Sequence, residues 1–236
     1  INAISYPSMT HKNHFDDFST SERSSKESVQ LHAMEMGPSL KEEDSDSTIW
    51  SAFVQGSEYA LSVLFERYAD KLFNYGKQFS SDTGLVNDAI QDVFYQLIKT
   101  KDRLSSAQSV KHYIFSSFRR RLLRLLKQRK NIVFDENIGL NGKFQLSFTP
   151  DYHSISTQFT VDQKVLLENA CNQLPARQRE ILALYFFEGL SYKEIADIME
   201  FSQVKSARKL LYRSLEGLSE LLGKHRDLLS CFYFFI

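Results

Sequence analysis

LPARQREILALYFFEGLSYKEIADIMEFSQVKSARKLLYRSLEGLSELL, residues 174–222, reads as helix, short helix, tight turn and long basic helix, which is the pattern of a helix-turn-helix. Ser191 is placed to cap the short helix, and Glu194 three residues later completes a capping box. Ile195, Ala196 and Met199 then form one apolar face, with small Ala196 where two helices must approach closely. Glu200, Phe201 and Ser202 supply the turn, and Ser202 stands where it would cap the following helix. Glu200 occupies a place that such turns commonly give to Gly, so a left-handed backbone costing about 1 kcal/mol is expected there. In the last helix Val204, Ala207 and Leu211 are expected inside, leaving Gln203, Lys205, Ser206, Arg208, Lys209 and Tyr212 outside. A face of amides, hydroxyls and long cations near a helix N-terminus suits base edges and phosphates in a major groove. An ordinary amphipathic helical pair with a solvated charged face satisfies the same pattern.

The rest of the chain narrows the choice. In 236 residues there are only four Pro and nine Gly, strand-like alternation is scarce, and 42% hydrophobic content is enough for real cores. An all-α protein is expected, built from two small helical domains joined by a flexible linker. The net charge of zero conceals an uneven distribution: residues 1–50 hold nine acids against four Lys or Arg, whereas 111–130 hold eight Lys or Arg and no acid. Cys171 and Cys231 lie far apart and outside any ligand spacing, so neither a zinc site nor a disulfide framework is indicated, and a cytoplasmic location is expected. No secretory signal opens the chain and its longest apolar run, at the C-terminus, is too short to span a bilayer, so no membrane insertion is expected. The first residue is Ile and not Met, so either the natural start is expected elsewhere or the first residues are foreign to the natural protein. No nucleophile–base pattern, phosphate-cradling Gly loop or metal-ligand cluster is visible, which argues against an enzyme and against a cofactor.

Residues 1–46 have the composition of a disordered acidic tail. From residue 47 to 130 three helical stretches follow. The first carries Ile49, Trp50, Phe53 and Val54, a break at Gly56 and Ser57, and then Leu61, Leu64, Phe65, Tyr68 and Leu72. The second runs from about Asp82 to Thr100, with Leu85, Ala89, Val93, Phe94 and Leu97 inside; the third begins near Ser109 and ends in the cationic run. Residues 131–160 read as a linker, helical periodicity resumes at 161–222 with Pro175 at a first-turn position, and 223–236 form an apolar C-terminal tail.

The two halves together resemble a sigma-70 family transcription initiation factor of the two-domain extracytoplasmic-function (ECF) type, over residues 46–130 and 161–222. NDAIQDVFYQL is similar to the region two helix that docks on RNA polymerase. The resemblance therefore implies core RNA polymerase as a partner, bound through Asn87, Asp88, Gln91 and Asp92, with Phe94 and Leu97 packing beneath. VKHYIFSSFRRRLLRLLKQRK resembles the segment that recognises and melts the nearer promoter element. Strand opening needs cations for displaced phosphates and flat rings or pockets for an unstacked base. Lys111, Arg119, Arg120, Arg124, Lys127, Arg129 and Lys130 offer the cations, and Tyr113 and Phe115 the aromatics; Tyr113 reads equally as a core ring. Tyr113 stands where many relatives have Trp and Arg120 where Asn is common, which alters the expected base preference. The loop at 104–108 lies where relatives capture a flipped base.

The second half resembles region four, which reads the farther promoter element as duplex through Ser202, Gln203, Lys205, Ser206, Arg208, Lys209 and Tyr212. The variant VKSARKLLYRSLEGL is closest to members associated with Bacteroidetes. The resemblance thus implies a sigma factor that takes core polymerase to promoter DNA, with an anti-sigma protein as a further partner where one exists. The rival readings are a conventional helix-turn-helix regulator acting without polymerase, and a helical interaction protein. His112 lies beside the basic helix with no partner visible in the sequence and is read as structural.

Overall fold

The computed structural model describes residues 40–41, 43–104, 109–130 and 160–229. Within these there are eight α-helices and no strand, the all-α architecture expected. They are α1 (Asp46–Val54), α2 (Glu58–Lys77), α3 (Thr83–Thr100), α4 (Val110–Lys130), α5 (Val161–Gln173), α6 (Ala176–Leu182), α7 (Tyr192–Ile198) and α8 (Val204–Leu222).

Side chains chosen for their competition with the backbone set the helix starts. Ser45, Ser57 and Asp82 accept N–H bonds from Thr48, Ala60 and Leu85 at the heads of α1, α2 and α3. Thr160 with Gln163, and Ser191 with Glu194, form reciprocal capping boxes at α5 and α7. Asp46, the last residue of the expected acidic tail, opens α1, and its carboxylate accepts bonds from Arg67, at 2.5 Å, and Tyr68 of α2. Residues 1–39 and 42 of that tail lie outside the described residues, as do the 131–159 part of the linker and the final 230–236. The remainder of the C-terminal segment, Gly223–Leu229, turns back and buries Leu228 and Leu229.

Helices α1–α4 close on Trp50, Leu64, Tyr68, Leu72, Leu97 and Phe118, all nearly solvent-free. Gly76 allows α2 to approach both neighbours, since a Cβ there would lie 2.6 Å from Val86 Cγ1 and 2.8 Å from Phe118 Cζ. In the second group α8 packs on α5, α6 and α7. Its inner stripe, Ala207, Leu211, Leu215, Leu218 and Leu222, recurs at three- and four-residue steps. Arg179 of α6 donates to the carbonyls of Asn172 and Leu174, satisfying acceptors at the end of α5. After α6 the helix widens into a π turn over Ala183–Phe187.

The turn of the helix-turn-helix is as expected at Glu200, whose φ is +58°. Two local expectations are corrected. The cap of α8 is Gln203, which makes no side-chain cap bond, and not Ser202. Val204 is 45% exposed instead of inward, because it is the first residue of α8 and precedes the turn that meets α7.

Both backbone readings are testable by thermal unfolding. Gly76→Ala should destabilise the chain by about 1–3 kcal/mol through overpacking, despite the better helix propensity of Ala. Glu200→Gly should stabilise it by about 1 kcal/mol, a rise of about 2–4 °C in Tm.

Candidate nucleic-acid interface

The basic helix α4 divides its cations between two faces. Lys111 and Arg119 turn toward the second group of helices, where Glu188 and Glu180 lie. Arg120, Arg124 and Lys127 are exposed. With Asp92, Gln96, Tyr113, Ser117 and Arg121, Arg120 and Arg124 line an open cavity of about 200 Å³ between α3 and α4. Tyr113 is half-buried, its ring set edge-on against Trp50 at 5.3 Å, so one side packs and the other borders the cavity. Phe115 is fully buried and packs against Tyr75 at 5.5 Å. In this arrangement its ring is part of the core and is not presented to a base. The wide apolar stripe Ile114, Phe115, Phe118 and Leu122 was the signal for that burial. Arg129 pairs with Asp82 at the head of α3. Residues 105–108 of the loop expected to receive a flipped base lie outside the described residues.

On α3, Asn87, Asp88 and Gln91 are exposed, whereas Phe94 is buried and meets Phe65 edge-on at 5.0 Å. Asp92 is not a free docking acid: Arg121 of α4 holds it through Nε at 2.7 Å and Nη2 at 2.6 Å. Sequence reading left Arg121 out because its role depends on a partner on another helix. Tyr95 and Ile98, each more than half exposed, prolong the stripe of Asn87 and Gln91 and were also not singled out. A groove of about 360 Å³ between α2 and α3 runs beside it, lined by Phe65, Asp70, Phe73, Asn87, Ile90 and Gln91.

On α8, Ser202, Gln203, Lys205, Arg208, Lys209 and Tyr212 are exposed and Ser206 is half-buried, while Ala207 and Leu211 anchor the inner side. The Arg208 guanidinium sits 5.1 Å from the centre of the Tyr192 ring, and that ring stacks on Tyr185 at 5.1 Å. Burial, with a hydrogen bond to Tyr185, pushes the Tyr192 phenol up to about 12, so it stays neutral beneath the cation.

The two groups of helices meet through charge. Glu180 of α6, wholly buried, accepts from Arg119 Nε at 2.6 Å and from Tyr75 Oη at 2.8 Å. Burial opposes the Arg119 charge, but the adjacent Glu180 carboxylate outweighs it and raises the guanidinium pKa above its usual value. Lys111 Nζ donates to the Glu188 carbonyl and lies 3.2 Å from Glu188 Oε2. His112 Nε2 is 2.7 Å from Asp197 Oδ2 on α7, the partner that the sequence did not reveal. Glu194 of α7 is also hydrogen-bonded by Ser109, just before α4.

Comparison with known proteins agrees with this layout. Residues 64–132 match the family Sigma-70 region 2 and residues 164–218 match Sigma-70, region 4. The two matches occupy just over half of the chain, which belongs to the sigma-70 family. It is 24% identical to the ECF RNA polymerase sigma factor SigM of Bacillus subtilis, over 70% of this chain and 96% of that one. It is 23% identical to the RNA polymerase sigma factor SigZ of the same organism, over 65% and 86% of the two chains. The fold is that of CnrH, solved in complex with the cytosolic domain of CnrY: the TM-score is 0.51 at 18% identity, covering 76% of this chain and 97% of CnrH. Among the described residues no helix is long and apolar enough to cross a membrane.

Glu188 gives a pH-dependent prediction. Burial raises its carboxyl pKa despite Lys111, and its Oε1 finds no partner among the described residues. A carboxyl raised on folding binds its proton more tightly in the native state, so its contribution becomes less favourable as pH rises from the unfolded to the folded pKa. Glu188→Gln should therefore increase the melting temperature at neutral pH, and the gain should shrink as acidification protonates the wild-type carboxyl.

Proposed function

We propose that this chain is an ECF-type sigma factor that binds core RNA polymerase, directs it to two promoter elements and helps separate the strands at the nearer one, without covalent chemistry or a cofactor of its own. The observation that carries this reading is the ordered set of three exposed faces. There is an acid-and-amide stripe on α3, a cationic cavity on α4 and a polar, cationic face on α8, in a chain with region two followed by region four. The ECF assignment is supported by the similarity to SigM along nearly its whole length.

In this reading Asn87, Asp88 and Gln91 meet a basic polymerase surface, with Phe94 fixing the helix from beneath. Arg120, Arg124 and Lys127 take the phosphates of the opened strand, and Tyr113 borders the open cavity between α3 and α4, where an unstacked base would lie against its ring. Gln203, Lys205, Ser206, Arg208, Lys209 and Tyr212 enter the major groove of the farther element, Ser202 lying at the entry. A role in transcription supports a cytoplasmic location, and the α8 variant supports a Bacteroidetes host. CnrH, which shares the fold, was solved with a protein partner, and this supports an anti-sigma protein acting on the same faces.

Run-off transcription with core polymerase and a promoter library tests the reading. Discrete start sites sharing two spaced elements should appear only when the chain is added. Asp88→Ala combined with Gln91→Ala should weaken co-elution with core enzyme. Replacing Arg120, Arg124 and Lys127 together by Ala should reduce opening and lower the log–log salt slope of DNA binding by about 2–3. Absence of start sites together with absence of co-elution would favour a conventional helix-turn-helix regulator instead.

A further inference from the structure

The proposed DNA-facing cations are not equally available. Lys111 and Arg119, which lie in the same basic run as Arg120 and Arg124, are each paired with a carboxylate from the region four half. With His112 on Asp197, three successive basic side chains of one α4 face meet three acids spread over 18 residues of α6–α7. Arg119 is 7% exposed and Glu180 is fully buried, so no phosphate can reach that guanidinium in this arrangement.

We infer that this is a closed form of the protein in which Glu180, Glu188 and Asp197 occupy phosphate positions on α4, so that region four masks part of region two's nucleic-acid face until the halves separate. The inference rests on the functional reading above.

The chemistry of the contact favours such an exchange. A buried ion pair recovers in Coulomb attraction roughly what it loses in desolvation, so it fixes geometry without contributing much net stability. On separation both partners regain water, and the freed cations can take nucleic-acid phosphates with release of counterions. Interfaces between domains of one chain that are polar in this way are suited to opening. Tyr75 adds direction: its hydroxyl reaches Glu180 across 105 residues and ties the carboxylate to the core of the first half rather than to Arg119 alone. The Oε1 of Glu188, unpartnered among the described residues, marks the same contact as imperfectly satisfied, as expected of a surface that must also exist apart.

The test uses the full chain and two variants, Glu180→Gln, which keeps the shape of the buried side chain, and Asp197→Lys at the exposed rim, which leaves the core untouched. Circular dichroism checks that each retains its helix content. Small-angle X-ray scattering then reads compactness, and fluorescence anisotropy reads binding to a random-sequence single-stranded oligonucleotide and to a random-sequence duplex of equal length. The expected result is a larger radius of gyration and about tenfold tighter single-strand binding, as for a protein whose competent form is a minor fraction, with little change on the duplex. Equal gains on both probes would reduce the effect to net charge and overturn the masking. So would unchanged compactness in a folded variant, or expansion without tighter single-strand binding. If neither wild type nor variants bound either nucleic acid or core polymerase, the functional reading would fail, while the scattering would still report whether the carboxylates hold the halves together.

Discussion

The ion pair between Arg119 and Glu180, with the Tyr75 hydroxyl as its third member, is the constraint around which the described residues are arranged. It joins α2, α4 and α6, which come from the two ends of the helical sequence, and it does so without solvent. Burying a charge is acceptable only when it is paired and hydrogen-bonded, and here each oxygen and nitrogen at the centre depends on a residue from another helix. Two further charge contacts between the halves, Lys111 with Glu188 and His112 with Asp197, lie along the same side of α4 and grow progressively more exposed. The aromatic rings of Tyr75, Phe79, Phe115 and Phe118 pack around the first-half side of the pair and keep water away.

Outside this contact the molecule uses local rules. Ser, Thr and Asp at helix starts satisfy orphan donors, and apolar stripes at three- and four-residue steps close two cores. Within each half the exposed sides, those of α3 and α4 in one and that of α8 in the other, are thereby held in place, the first rich in amides and acids, the others in cations. Rigid elements with their inner faces locked are what a recognition surface requires. Arg208 illustrates the principle on a small scale, since a stacked pair of tyrosines beneath it limits where its long side chain can go.

Most of the fold was legible because it is local. The Ser191–Glu194 box, the break at Gly56 and Ser57, the start of the third helix near Ser109 and the left-handed Glu200 follow from residue types a few positions apart. The site was only half legible. Exposure along α8 followed from periodicity, except for Val204, where a helix end has no preceding turn to bury it. Phe115 stands in a basic run, which suggests an available ring, but it belongs to the apolar stripe within that run and is buried. The charge pairs were invisible: Arg119 and Glu180 are 61 residues apart, His112 and Asp197 85, and nothing in either neighbourhood specifies the other. A cation in sequence carries no label saying whether a phosphate or a carboxylate will face it.

The π turn at Ala183–Phe187 acquires a meaning from this geometry. On a regular α-helix two residues eight positions apart, such as Glu180 and Glu188, would point about 80° away from each other. One extra residue accommodated in a widened turn acts as a phase correction and brings them to within about 20°. Two acids that would otherwise diverge are thereby set side by side along a single neighbouring helix. The segment accordingly behaves as a spacer of fixed count, in which the number of residues matters more than their identity.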